Sequence, residues 1–140
     1  MINNPQTRLL AAAYVRGISA RTGVPALEDV PIQTPPEALT AREIDSLIEE
    51  GTAAGLKMYY FKEKDALPRV KAVLGFLRGV QPQRLLDVGS GRGVFLLPFL
   101  SEFHGVPVTS LDLLPHRTRS WADLRAGGIG RITVEQLFEV

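Results

Sequence analysis

The chain has 140 residues, 45% of them hydrophobic, and a net charge of +1 from 16 basic and 15 acidic side chains. That size fits one domain with a modest core, and that balance disfavours disorder and supplies no basic footprint for nucleic acid. With no cysteine and only His104 and His116, disulfides, cysteine nucleophiles and thiolate metal sites are excluded, and a histidine metal cluster lacks ligands.

The N-terminal run MINNPQTRLLAAAYVRG is short and broken by Arg8 and Arg16. It fits neither a signal peptide nor a membrane span, so a cytoplasmic protein without membrane association is expected. Thr7 to Arg21 holds good helix formers, with Leu9, Leu10, Ala13 and Val15 on a partial apolar face. Four prolines between Gly23 and Pro36 mark a loop. Thr40-Ala-Arg-Glu43 reads as a capping box, with Ile44, Leu47 and Ile48 following at helical spacing and Gly51 or Gly55 as the stop.

Lys57 to Lys64, KMYYFKEK, is open between a strand and a helical turn. A helix is predicted from about Ala66 to Arg78, with Val70, Val73, Leu74 and Leu77 on one face and Pro68 near its start. Leu85 to Val88 reads as a short buried strand and Gly89 to Gly93 as a turn. Val94 to Phe103 reads as an apolar helix kinked at Pro98. A strand at Val106–Leu111, a helix at His116–Ala126 and a strand at Arg131–Glu135 complete the pattern. Alternating strands and helices predict an α/β fold with a parallel sheet of about three strands. An N-terminal helical extension, 1–65, precedes this unit, 66–140.

The turn Arg84-Leu-Leu-Asp-Val-Gly-Ser-Gly-Arg-Gly-Val94 carries the chemistry. Glycines at 89, 91 and 93 let backbone approach a ligand, at the strand ends where nucleotides bind. A dinucleotide fingerprint requires G-x-G-x-x-G, and here Val94 takes the sixth position. Asp87 would also repel a pyrophosphate. The same carboxylate suits S-adenosyl-L-methionine, which carries a sulfonium and an ammonium and no phosphate. A nicotinamide-dependent oxidoreductase is therefore the weakest of the alternatives.

Asp87-Val-Gly-Ser-Gly-Arg-Gly93 resembles the first motif of class I S-adenosylmethionine-dependent methyltransferases. The resemblance covers roughly residues 84 to 135. It implies a Rossmann-like methyltransferase fold in which Asp87 helps position the methionine end and Gly89, Ser90, Gly91 and Gly93 lie against the cofactor. It also implies that Asp112, at the end of the second strand, binds the ribose hydroxyls, with Leu113 beside the adenine. The plain alternatives are a loop-stabilising carboxylate for Asp87 and a strand-end turn residue for Asp112. Arg92 occupies a variable position of the motif and reads as solvated.

Met58-Tyr-Tyr-Phe61 reads as packing, although Tyr59, Tyr60 and Lys62 fall in a segment that can fold over the cofactor in that family. Trp121 is expected to pack its helix on the sheet, His104 to follow a helix end, and His116 to be solvated. Gly127-Gly-Ile-Gly130 reads as a turn.

VEQLFEV offers only Glu135, Gln136 and Glu139 as the later adenine-contacting group of such enzymes, and none is a convincing match. No metal site, catalytic residue or methyl acceptor is readable. The sequence reads as the N-terminal part of a methyltransferase domain. Its first strand is then expected to be an open edge, covered by a second copy or a partner chain. A noncatalytic cofactor-binding or interaction module is the alternative function.

Overall fold

The computed structural model describes residues 2–27, 34–62 and 66–136. Helix α1 spans Pro5–Thr22. Its start is set by Asn4, whose Oδ1 accepts from the Gln6 and Thr7 amides at 2.9 and 3.2 Å, with Pro5 in the first turn. Gly23 ends it at φ 77°, donating to the Ser19 carbonyl. Helix α2, Ala41–Ala53, opens with the expected capping box: Thr40 Oγ1 accepts from the Glu43 amide at 3.1 Å, and Glu43 Oε1 from the Thr40 amide at 2.9 Å.

The ambiguous aromatic segment is a short 3₁₀ turn, Met58–Phe61, with Met58 and Phe61 buried. Glu63 and Lys64, within the same stretch, lie outside the described residues. Helix α3 follows at Pro68–Val80, burying Val70 and Leu74. Val73, expected on the same face, is exposed.

Strands β1 (Leu85–Val88), β2 (Val108–Asp112) and β3 (Ile132–Gln136) pair in parallel in the order β1-β2-β3. Leu85 faces Val108 across the first pairing, and Asp112 faces Gln136 across the second. Helices α4 (Leu96–Glu102) and α5 (Pro115–Ala126) link the strands. The result is a partial Rossmann-like α/β fold with helices ahead of the sheet. Glu139 falls outside the described residues.

Two details depart from expectation. Helix α4 starts at Leu96, later than the apolar run suggested, so Pro98 sits in its first turn. The amide that proline lacks falls where helical amides have few partners anyway, and no kink is required. Strand β1 is not fully buried: Leu86 and Val88 are 59% and 62% exposed.

One hydrophobic core joins α1 to the sheet unit, running from Leu10 and Val15 through Leu47, Phe99 and Trp121 to Ile132. The fit of α1 against α5 is close. A Cβ on Gly17 would stand 1.7 Å from the Asp123 carbonyl oxygen, and one on Gly127 equally close to that of Ala13. The two backbones therefore touch where side chains would hold them apart. Asp123 is also gripped by Arg21, whose Nε and Nη2 donate to its two oxygens at 2.9 and 3.1 Å. Its buried carboxylate thus has a paired, two-point partner.

Tyr14, on the same face of α1, packs on Phe61 with ring centroids 5.2 Å apart. Burial, reinforced by the negative charge of Asp123, pushes its phenol up to about 12, against the pull of a hydrogen bond with Ser120. The unfolded phenol titrates near 10, so the folded state resists ionisation. Stability from Tyr14 is complete below about pH 10 and is lost as pH rises toward 12. Urea unfolding at stepped pH should show the parent losing roughly 3 kcal/mol more than Tyr14→Phe across this window. Parallel losses in the two proteins would refute the assignment.

Candidate functional site

The glycine turn leaves β1 at Val88 and delivers the chain to α4. Its three glycines all have positive φ, at 74° for Gly89, 54° for Gly91 and 82° for Gly93. Two different constraints lie behind this. A Cβ on Gly89 would meet nothing within 4 Å, and one on Gly91 only the Gly89 carbonyl at 3.8 Å. Those two positions border open space. Gly93 is buried instead, and a Cβ there would stand 2.4 Å from the Trp121 ring. Trp121, 1% exposed, is the seat on which the turn rests.

A polar latch holds the turn from beneath. The Gly89 amide donates to the Leu111 carbonyl at 2.6 Å. The fully buried Ser110 hydroxyl donates to Ser90 Oγ at 2.7 Å, and Ser90 Oγ donates to the Asp87 carbonyl at 3.2 Å. Asp112 closes the other side. Its Oδ2 accepts from the Gly91 amide at 3.0 Å and its Oδ1 from the Leu114 amide at 3.3 Å. Its residue exposure is only 4%.

The structure thus brings Asp87, Gly89, Ser90, Gly91, Gly93 and Asp112 together at the carboxyl ends of β1 and β2. Leu113 follows Asp112 and is exposed. Asp112 does the strand-end turn work that its plain reading anticipated, and it also braces the glycine loop across the sheet.

The electrostatics are unusual for a loop. Burial raises the Asp87 carboxyl above its ordinary range, and the charge of Asp112 adds to the rise, against a hydrogen bond from Ser90. Two acids therefore converge where an ionised carboxylate is costly without a cation. Among the described residues, no group of acids and histidines could hold a metal ion.

Beside the turn lies a cleft of about 960 Å³ between the 3₁₀ turn and α4. Tyr59, Tyr60 and Lys62 form one wall, and Arg92, Val94 and Leu97 the other. Arg92 is exposed, as its place in the motif suggests. Tyr59 is exposed, and both rings face the cleft. Only their proximity to the glycine turn, invisible in the sequence, marks them. His104 is exposed and remote, and the end of α4 is capped by Arg131, which donates to the Leu100, Phe103 and Val106 carbonyls. His116 is exposed as expected.

No family model matches the chain. Over 99 residues, 71% of its length, the chain is 31% identical to malonyl-[acyl-carrier protein] O-methyltransferase of Geobacter sulfurreducens. The matched stretch is 34% of that relative, so the chain spans about a third of its length. The similarity supports a methyltransferase relationship in general and is in keeping with the three-stranded parallel sheet. No helix among the described residues is long and apolar enough to cross a membrane.

The raised Asp87 carboxyl sets a stability test. Because its folded pKa is raised, its favourable contribution exists at acid pH and is lost as pH rises through the folded value. Asp87→Asn should therefore raise the urea midpoint at pH 7 with an unchanged slope, and this advantage should vanish toward pH 3. A lower midpoint at pH 7 would show the carboxylate to be a structural loop brace.

Proposed function

We propose that the chain is the cofactor-binding part of an S-adenosyl-L-methionine-dependent methyltransferase. The carrying observation is the pair of acids at an open glycine turn. The room above Gly89 and Gly91 and the cation-seeking Asp87 both fit this cofactor. Asp87 would attract the cationic methionine end. Asp112 would receive the ribose hydroxyls, and Leu113 would lie along the adenine. The bound cofactor supplies an electrophilic methyl group. The residues present here contribute placement: they fix that group against an acceptor for in-line displacement, so their share of the rate is proximity and orientation.

The sulfonium reading also explains why a half-buried acid is kept at the turn. Its desolvation cost falls once a positive charge is bound beside it. A pyrophosphate in the same place would meet two carboxylates, which argues against a nicotinamide cofactor.

A second feature belongs to this reading. Leu86 and Val88 on β1 and Phe76 and Val80 on α3 are large, apolar and exposed. Edge strands with such side chains pair with other protein. The proposal is that a further protein surface, a second copy or a partner chain, covers them. This edge is also what favours the alternative of a noncatalytic interaction module, which would bind cofactor and partner without turnover.

Two measurements test these statements. Calorimetry with S-adenosylhomocysteine should show saturable binding, and Asp112→Ala should weaken it by about tenfold or more through loss of a charged hydrogen-bond acceptor. Absence of binding to a cooperatively folded sample would end the cofactor reading. In light scattering, the parent should gain mass with concentration and Leu86→Lys should stay monomeric. A parent that is monomeric throughout would exclude the second copy as the covering surface.

A further inference from the structure

We propose that Asp87 is the residue by which the glycine turn tells a cationic cofactor from the neutral product that methyl transfer leaves behind. This rests on the cofactor reading of that turn and adds a selectivity to it.

The two acids at the strand ends are held differently. Asp112 is 4% exposed, and both its oxygens accept backbone amides, from Gly91 and from Leu114. It braces a turn that any ligand would meet, charged or not. Asp87 lies on the next strand, opposite Ser110 of β2, and is half-buried. Its carboxyl takes a hydrogen bond from Ser90, which is fixed from beneath by the fully buried Ser110. This chain of hydroxyls positions the carboxyl without neutralising it. The charge that acts on Asp87 is that of Asp112, and it has the same sign. Asp87 is therefore a positioned carboxylate whose counter-charge a ligand brings.

S-adenosyl-L-methionine and S-adenosylhomocysteine share the adenosine, the ammonium and the carboxylate. They differ in one methyl group and in one positive charge on sulfur. When an acceptor takes the methyl group, the electron pair of the broken carbon–sulfur bond stays on sulfur, and that charge is gone. Contacts to the shared parts hold both molecules alike, whereas a half-buried carboxylate responds to the charge. A cation beside a carboxylate changes its proton affinity by about tenfold or more, and by reciprocity the carboxylate changes the cation's affinity by the same factor. The product then leaves a site that its precursor fits better.

The selectivity follows the charge state of Asp87. Burial raises its carboxyl above the ordinary range and the charge of Asp112 adds to the rise, against the hydrogen bond from Ser90. Below the raised pKa the carboxyl is neutral and the selectivity is lost; above it the carboxylate forms and the selectivity is complete.

Calorimetry on the full chain tests this with S-adenosyl-L-methionine, S-adenosylhomocysteine and sinefungin, which carries an ammonium in place of the methylated sulfur. At pH 7 the two cationic ligands should bind about tenfold more tightly than S-adenosylhomocysteine, and this preference should fade toward pH 4. Asp87→Asn, shown to be folded by its urea transition, should abolish the preference at every pH and leave S-adenosylhomocysteine within about twofold. Asp112→Ala should weaken all three ligands alike. If sinefungin bound as weakly as S-adenosylhomocysteine, the methyl group would be the selected feature and the proposal would fall. It would also fall if Asp87→Asn weakened all three equally, since Asp87 would then hold the ammonium they share. A folded parent that binds none of them ends the cofactor reading and this proposal with it. A parent that binds all three equally ends the selectivity alone.

Discussion

The absence of a side chain at Gly93 is the constraint on which the site depends. The turn there has positive φ and lies against the Trp121 ring, closer than any Cβ would allow. Trp121 belongs to α5, and α5 is held by α1, because Gly17 and Gly127 let the two helices meet backbone to backbone. A helix far from the turn in sequence therefore sets the height of the loop that would face a cofactor. Packing interiors are dense, so a displacement at one end of this stack is passed to the other rather than absorbed.

The polar contacts refine what the packing positions. Asp112 takes the Gly91 amide, and Ser110 reaches Ser90 beneath the loop. These bonds, the first partly buried and the second buried, join β2 to the turn, and each satisfies polar groups that would otherwise lack a partner there. Asp87 is different. Its carboxyl is raised by burial and by a second acid, so it opposes folding at neutral pH. Ser110, Ser90 and Asp112 stabilise the turn, whereas Asp87 is an electrostatic demand that the proposed cationic ligand would meet. Stability is commonly sacrificed in this way where binding is needed.

Local chemistry was legible in the sequence wherever one short stretch sufficed. The Thr40–Glu43 box, the three strands and the glycine turn stand where their residues put them, because capping and turn geometry involve near neighbours only. The depth of α1 was not legible. Its residues from Leu10 to Ile18 are buried all round, including three alanines and a glycine, so no apolar stripe shows in its pattern. Alternation cannot report an open sheet edge either. Leu85, Leu86 and Val88 read as a buried strand, yet burial requires a layer on both faces, and here Leu86 and Val88 meet none. That Arg92 and the Tyr59–Tyr60 pair border one cleft is not legible for a related reason: the loop and the 3₁₀ turn meet only in space.

The molecule is consequently asymmetric about β1. On the side of β2, every element is tied down, by α1, by Trp121 and by the latch under the turn. On the other side, α3 is fastened mainly by Val70, Leu74 and an exposed two-point pair between Arg78 and Glu102, with donor–acceptor distances of 2.7 and 2.6 Å. Exposed pairs of this kind contribute little. Phe76, 70% exposed, and Val80 lie on that same helix. The proposed cofactor site leans on the side of β2, because the glycines and Asp112 take their support from β2 and α5. On the proposed reading, cofactor affinity would depend on β2 and α5, and a surface covering β1 and α3 would bear on assembly instead.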